Sequence, residues 1–161
     1  MKVVGIDFSS FAVDIVRVHV DDLTPPEWHH WALHGQDSFD RTRTVANAMP
    51  GRTSVFWDDV LGVGIEEPAG KQTGHGFRVQ GAILSMIPPA TMVEKWMPSQ
   101  WRKAVGLPGN CPKDAVMEWV VSSAFTDGWK TDQRHLEQDA CDAYCIALAT
   151  REALTTERSA A

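Results

Sequence analysis

The sequence contains little of what secreted, disulfide-bonded and membrane proteins are built from. Its 161 residues include three cysteines, an odd number, and Asp7 interrupts the first apolar run where a signal peptide would lie. No apolar run reaches the roughly 18 residues that a membrane span needs. Cys111, Cys141 and Cys145 have no partners at zinc-finger spacing. We therefore expect one domain in a reducing, intracellular setting, with Cys141 and Cys145 as small core residues.

The chain also lacks an excess of positive charge, because its net charge is −6. The charges are unevenly distributed, however. Residues 70–113 carry six basic side chains against one acidic side chain, Glu94, whereas the segments before and after are acidic. A basic middle segment beside acidic ends suits a polyanion held next to a metal site. Six charges alone are more typical of an ordinary solvated face.

The hydrophobic pattern predicts three strands, a helix, a strand, a helix, a strand and then helices, which is the order of an α/β protein with a mixed sheet. The short link over residues 8–11 predicts an antiparallel hairpin at the start. His29 and His30 are adjacent in the third strand and point to opposite faces, so we interpret them as structural. The predicted strands cover residues 2–7, 12–20, 28–33, 60–65 and 91–97, and the helices cover 38–49, part of 70–87, 99–105, 112–125 and 136–154.

Acidic side chains stand where several of these apolar segments begin or end. Asp7 closes the first strand, Glu66 and Glu67 follow the fourth, and Asp139 and Asp142 open the last helix. A charge at the end of an apolar run is costly to bury unpaired, so Asp7 is solvated, paired with a base or bound to a cation. A turn cap is the simpler alternative for Asp7. We interpret the clusters as carboxylates that converge on a divalent metal.

Asp139 and Asp142 are three residues apart, so both lie on one face of the last helix, which Ala143 continues. Like charges on an apolar face repel each other and lose hydration, and the helix dipole offsets only roughly 0.3–1 kcal/mol per charge. Mg²⁺ takes carboxylate oxygens, water and substrate phosphate as ligands, and it offsets far more. Acidic residues are also common in the first turn of a helix because they interact favourably with the helix dipole. This is the simpler interpretation of Asp139.

At these positions the chain resembles the RuvC-type Holliday junction resolvases of the RNase H-like nuclease superfamily. The resemblance covers nearly the whole chain in matching order, although each motif is weak alone. It implies an α/β, RNase H-like fold with a five-stranded mixed sheet flanked by helices, over residues 1–154. The small, polar composition of residues 155–161 separately predicts a flexible tail. The motifs are Gly5-Ile6-Asp7, Ile65-Glu66, Gly81-Ala82, Pro98, Lys103-Ala104-Val105-Gly106, Lys113 and Asp139-x-x-Asp142-Ala143.

The resemblance implies a metal-dependent endonuclease that cleaves four-way junctions or other branched DNA as a homodimer, with one site per strand. Asp7, Glu66, Asp139 and Asp142 would bind two Mg²⁺ ions, with Mn²⁺ as a substitute, for phosphodiester hydrolysis. Lys113 would neutralise charge near the scissile phosphate. A cytoplasmic location follows, in a bacterial cell or a phage-infected host. The basic side chains implied in DNA binding are Lys71, Arg78, Arg102, Lys103 and Lys113.

The sequence departs from the family after the first aspartate and after Glu66. Phe8 and Ser9 stand where the family has proline and glycine. The short stretch after Glu66 lacks the aromatic wedge that members often present there, and His75 and Phe77 are the candidates to replace it. Junction specificity is therefore less supported by the sequence than nuclease chemistry.

Three points stay open at the level of sequence. Either Glu66 or Glu67 is the ligand, because adjacent residues at a strand end point opposite ways. His135, four residues before Asp139, is either a site residue or part of a loop. The helix over residues 74–87 is the candidate dimer interface, but an amphipathic helix ordinarily packs only on its own sheet.

Two other functional classes compete with the nuclease. An actin-like nucleotide-binding domain also has Gly-Ile-Asp at the end of a strand, but that fold needs two such domains and 161 residues supply one. The other class is a catalytically inactive RNase H-like DNA-binding protein, against which the complete set of carboxylates argues.

Overall fold

The computed structural model describes residues 1–21, 24–68, 73–123 and 138–160. Five strands form one mixed sheet: β1 (Lys2–Phe8), β2 (Ala12–His19), β3 (Glu27–Ala32), β4 (Val60–Glu66) and β5 (Met92–Trp96). Their order across the sheet is β3-β2-β1-β4-β5. The β1–β2 and β2–β3 pairs are antiparallel, whereas the β1–β4 and β4–β5 pairs are parallel. The predicted mixed sheet of five strands, with an antiparallel hairpin at the start, is confirmed.

Five α-helices lie among the described residues: α1 (Ser38–Ala48), α2 (Thr73–Met86), α3 (Pro98–Ala104), α4 (Lys113–Ser123) and α5 (Gln138–Ala160). Local chemistry explains where two of them begin. Asp37 Oδ1 accepts hydrogen bonds from the amides of Phe39 and Asp40 and thereby caps α1. Pro98 opens α3 at a position where a helix needs no backbone donor. A 3₁₀ turn (Val55–Trp57), which was not predicted, precedes β4.

The last helix is longer than predicted. Its predicted end at Leu154 is wrong, because α5 continues to Ala160 through residues predicted to form a flexible tail. No glycine or proline interrupts residues 138–160. The hydroxyls of Thr155 and Thr156 donate to backbone carbonyls one turn earlier in the helix. These bonds satisfy the two hydroxyls within the helix, although threonine does not itself favour a helical conformation.

Separate hydrophobic cores cover the two faces of the sheet. Along β1 the side chain of Val3 packs into the core that contains α5 and parts of α3 and α4. The side chains of Val4 and Ile6 pack into the other core, with α1 and α2. This alternation follows from the period of two in a strand. The face that carries α5 is also the face on which Asp7 lies, two residues beyond Gly5.

Two glycines allow α5 to lie directly on the sheet. A Cβ atom on Gly5 of β1 would come within 2.0 Å of the carbonyl oxygen of Ala143, and one on Gly64 of β4 within 2.0 Å of Thr150 Oγ1. Strand glycines are typical of places where another backbone approaches closely. Because α5 runs antiparallel to β1, this close packing brings the first turn of the helix next to the end of the strand.

The two histidines of β3 lie on opposite faces of the sheet, as predicted. The His29 ring stacks on Trp31 at 5.5 Å and meets Phe56 edge-on at 5.2 Å. On the other face, His30 Nδ1 forms a hydrogen bond of 3.0 Å with Asp14 Oδ1. The two side chains therefore have separate environments despite being neighbours in sequence.

Cys141 and Cys145 are buried free thiols in α5, as predicted for small core residues. Burial raises the pKa of Cys141 to about 12 and that of Cys145 further, so both thiols stay protonated at neutral pH. None of the helices among the described residues is long and apolar enough for a membrane crossing.

Candidate metal and nucleic-acid site

Asp7 lies near the C-terminal end of β1, at the edge of the sheet where the parallel strands end. The side chain lies on the face covered by α5 and is only 8% exposed. Burial raises the pKa of Asp7 well above its usual range, and the negative charges of Glu66, Asp142 and Asp139 raise it further. The four carboxylates that the sequence marks as candidates therefore lie within electrostatic reach of one another.

β4 ends with two glutamates that have different surroundings. Trp101 Nε1 donates a hydrogen bond of 2.8 Å to Glu66 Oε2, whereas Glu67 forms an ion pair of 3.8 Å with Lys95. Burial raises the pKa of Glu66, the Trp101 hydrogen bond lowers it, and the charge of Asp142 raises it again. Of the two adjacent residues, Glu66 is the one that the structure places among the other carboxylates.

The N-terminal end of α5 supplies Asp139, in the first turn, and Asp142, at the start of the second. Asp142 is 5% exposed, and Gln138 Nε2 donates a hydrogen bond of 2.8 Å to its Oδ1 atom. Burial raises the pKa of Asp142 to about 6, although the Gln138 hydrogen bond and the positive charges of Lys113 and Arg102 lower it. The hydrogen bond from Gln138 and the nearby positive charges therefore offset only part of the cost of burying the ionised Asp142 side chain.

Basic side chains from α3 and α4 border the carboxylates. The positive charges of Arg102 and Lys113 lower the pKa of Glu66. The Arg102 guanidinium carbon lies 4.9 Å from the centre of the Trp101 ring, a cation–π distance. Lys103 shares the last turn of α3 and is exposed. Three of the five predicted DNA-binding residues thus lie on α3 and α4, and two of them, Arg102 and Lys113, are close enough to affect the carboxylates.

Of the other two predicted DNA-binding residues, only Arg78 lies in the part of the chain that the structure describes. Arg78 is exposed on α2, whose buried side chains pack on the opposite face of the sheet. Lys71 lies outside the described residues, as does His135. The candidates for an aromatic wedge are on α2. His75 lines a cleft of about 390 Å³ next to Glu66, and Phe77 is half exposed.

The donor set fits a hard divalent cation. Carboxylate oxygens are the ligands that Mg²⁺ and Mn²⁺ prefer, and buried carboxylates that raise one another's pKa are stabilised when a cation neutralises them. Among the described residues, however, no three His, Cys, Asp or Glu side chains are arranged as a metal-ligand cluster. Hydrogen bonds from Trp101 to Glu66 Oε2 and from Gln138 to Asp142 Oδ1 orient these two carboxylates, and each bond uses only one of the two oxygens of its carboxylate.

The structure adds Asp14, which no sequence pattern marked as a site residue. Asp14 lies opposite Asp7 in the pairing of β1 with β2 and is 1% exposed. Burial raises its pKa, hydrogen bonds from His30 and Trp28 lower it, and the charge of Asp139 raises it again. Its signal in the sequence is a carboxylate among the apolar residues of β2, but no local pattern shows which residue of β1 it faces.

Comparison with known proteins finds similarity in structure but not in sequence. No protein-family model matches the chain, and no curated protein matches its sequence. Thermus thermophilus RuvC in complex with Holliday junction substrate superposes with a TM-score of 0.64 at 18% identity, over 97% of this chain and 96% of that chain. The T. thermophilus RuvC structure gives 0.61 at 18% identity, over 98% and 97%. The complex of Fowlpox virus resolvase with substrate Holliday junction DNA gives 0.57 at 12% identity, over 96% and 99%.

At these identities the similarity establishes the fold. The chain has an α/β, RNase H-like fold with a five-stranded mixed sheet. More particularly, it has the fold of the RuvC-type Holliday junction resolvases, over nearly its whole length. The fold that the carboxylate motifs implied is confirmed.

Proposed function

We propose that the protein is a metal-dependent endonuclease that cleaves branched DNA, with four-way junctions as its preferred substrate. The observation that carries this proposal is the group of carboxylates at one edge of the sheet in a RuvC-type fold, where burial and the charges of Glu66, Asp142 and Asp139 raise the pKa of Asp7. Structures with the same fold include a RuvC in complex with Holliday junction substrate and a resolvase in complex with junction DNA.

The four carboxylates have the chemistry of a metal site for phosphodiester hydrolysis. Asp7, Glu66, Asp139 and Asp142 would hold two Mg²⁺ or Mn²⁺ ions, which when bound supply activation of water and stabilisation of the leaving 3′ oxygen. Asp7 and Asp142 are largely shielded from bulk water, so electrostatic interactions at the site are stronger than at an exposed surface.

Two neighbouring side chains set the orientation of the carboxylates. Trp101 donates to Glu66 at 2.8 Å, and Gln138 donates to Asp142 at the same distance. Hydrogen bonds of this kind fix the rotamer of a ligand before a metal or substrate arrives. We assign Trp101 and Gln138 as positioning residues, which act on the substrate only through the carboxylates.

The basic residues provide the contacts with DNA. Arg102 and Lys113 lie near enough to the carboxylates to lower the pKa of Glu66, so a phosphate at the site meets positive charge on the side of α3 and α4. Lys103, at the exposed end of α3, extends this surface to the DNA backbone. Further DNA contacts are proposed for Lys71 and Arg78.

A homodimer would place two sites against opposing strands of a junction. The candidate interface is α2, where a Cβ atom on Gly74 or Gly81 would meet no atom within 4 Å. The two glycines are seven residues apart and therefore lie on the same side of the helix, so a second backbone can approach there. Phe77 is 52% exposed on this helix, whereas Ile83 is buried in the core and adds nothing to the surface.

The decisive experiment compares cleavage of a radiolabelled four-way junction, a Y-fork and a linear duplex in Mg²⁺, together with the mass of the protein in solution. Paired symmetrical nicks in the junction, at far lower enzyme concentration than the duplex requires, would support the proposal. Asp7→Asn and Asp142→Asn are each expected to abolish cleavage and the Mn²⁺ binding seen by calorimetry. Glu118→Gln, which neutralises an exposed carboxylate on α4, is the matched control and should change neither.

Each of the other outcomes would change the proposed function in a different way. Metal binding that survives in both aspartate variants would refute the proposed site. Equal cutting of fork and junction would leave a branched-DNA nuclease without junction preference. A protein that binds metal and DNA but cuts none of the three substrates would be a catalytically inactive DNA-binding protein.

A further inference from the structure

Gln80 is a polar side chain on the buried side of α2. It is 6% exposed, and among the described residues of α2 it is the one buried side chain that is polar. Its neighbours on this side of the helix, Val79 and Ile83, belong to the apolar core. A buried amide costs free energy unless it is hydrogen-bonded. The position of Gln80 in this core therefore depends on a polar partner.

The partner of Gln80 is the backbone of Glu66, the last residue of β4. Gln80 Nε2 donates a hydrogen bond of 3.1 Å to the carbonyl oxygen of Glu66. The last pair in the β1–β4 register is Ile6 with Ile65, so Glu66 lies at the end of the parallel ladder. Pro68, two residues further on, has no amide hydrogen with which the ladder could continue. A side chain of α2 thus holds the backbone of β4 where the pairing with β1 ends.

Glu66 is therefore held from both faces of the sheet. Trp101, in the core that contains α5, donates to the Glu66 carboxylate at 2.8 Å, whereas Gln80 reaches the backbone from the α2 side. At the same strand end, the amide of Glu67 donates to the carbonyl of Trp96 on β5 at 2.9 Å. These three bonds fix the end of β4 and the direction of the Glu66 side chain.

We infer that Gln80 is a positioning residue for the metal site, because it holds the backbone of Glu66 where the carboxylate can share a divalent cation with the other acidic side chains. The inference rests on the proposed function, since it assigns a residue to the same site. The groups of such a site must be held within about 0.5 Å of their productive positions. Without the bond from Gln80, part of the binding free energy of the metal is used to order the end of β4.

The test removes the donor and keeps the size of the side chain. Gln80→Met has an unbranched side chain of similar length without a hydrogen-bond donor, and Gln80→Leu is a second variant without a donor. Ile83→Val is the matched control, because Ile83 is buried on the same helix and its apolar side chain forms no hydrogen bond. Thermal unfolding in EDTA shows how far each substitution destabilises the fold.

Mn²⁺ binding to the folded proteins is measured by calorimetry. We expect both Gln80 variants to weaken Mn²⁺ affinity about tenfold, as for the loss of an outer hydrogen bond that orients a metal ligand. A fixed Mn²⁺ concentration should then raise their unfolding temperature less than that of the wild type. Ile83→Val should keep the wild-type affinity although its unfolding temperature is lower. In junction cleavage, the Mn²⁺ concentration for half-maximal rate should rise by the same factor in Gln80→Met, and the rate at saturating Mn²⁺ should match the wild type.

Three results would overturn the inference while the proposed metal site stands. The first is wild-type Mn²⁺ affinity in both Gln80 variants, which would show that the bond supports only the fold. The second is an equal loss of affinity in Ile83→Val, since any loosening of α2 would then have the same effect. The third is a failure of both Gln80 variants to fold, which would make the role of Gln80 structural. A wild-type protein that binds no Mn²⁺ would overturn the inference and the proposed function together.

Discussion

Replacement of Asp142 by asparagine is expected to stabilise the metal-free protein while it abolishes metal binding. The native carboxylate is 5% exposed and lies near three other acidic side chains, Asp7, Glu66 and Asp139. Asparagine has nearly the same shape, and its Oδ1 atom still accepts the hydrogen bond from Gln138. The substitution therefore removes a poorly compensated charge without opening a cavity.

The magnitude follows from the pKa of the carboxyl group. Burial raises the pKa of Asp142 from 3.8 to about 6. A difference of about two pH units corresponds to about 3 kcal/mol of destabilisation when the group is ionised. For a chain of this length, about 3 kcal/mol moves the unfolding temperature by roughly 6–12 °C.

The sign of the pH dependence can be derived in the same way. Between pH 3.8 and about 6 the folded state keeps a proton on Asp142 that the unfolded state has lost. The wild type therefore loses stability as pH rises through this range and stays at the lower level above it. Asp142→Asn has no such loss, so the difference between the two proteins should be small near pH 4 and largest above pH 6.

Thermal unfolding in EDTA at several pH values measures this difference, and a second series in Mg²⁺ measures the stabilisation by metal. Mg²⁺ should raise the unfolding temperature of the wild type but not that of Asp142→Asn. Glu118→Gln controls for the loss of an exposed negative charge on α4. A variant that is less stable than the wild type in EDTA above pH 6 would refute the reasoning, since it would show that the ionised carboxylate is favourably paired.

Two further predictions concern the surroundings of the carboxylates. Replacement of both Arg102 and Lys103 by alanine should reduce the salt slope of DNA binding by up to about two, measured by anisotropy, and an unchanged slope would place the DNA path elsewhere. Trp101→Phe keeps a buried aromatic ring but removes the donor to Glu66, so metal affinity measured by calorimetry should fall about 10- to 100-fold. An isotherm identical to that of the wild type would show that Glu66 does not depend on this hydrogen bond.

The carboxylates could be predicted from sequence because strand ends and helix starts are local features. Asp7 and Glu66 each follow a run of apolar residues that favours a strand. Once β1 and β4 pair in parallel, both residues must reach the same edge of the sheet. Asp139 and Asp142 share a helix face through their spacing alone.

The partners of the carboxylates could not be predicted, because they depend on how distant segments pair. A shift of one residue in the register of β2 would turn Asp14 to the other face, away from Asp7 and His30. Trp101 lies 35 residues from the glutamate to which it donates. The choice of Glu66 over Glu67 likewise required the position of the strand in the sheet.

The packing of α5 against Gly5 and Gly64 has a consequence for the protein during its synthesis. α5 completes one hydrophobic core of the sheet and also carries Asp139 and Asp142. A nascent chain that still lacks this helix has Asp7 and Glu66 but neither the remaining carboxylates nor the core that would bury them. Under the proposed function, a prematurely terminated or partly folded chain is therefore an inactive polypeptide and not an unregulated nuclease.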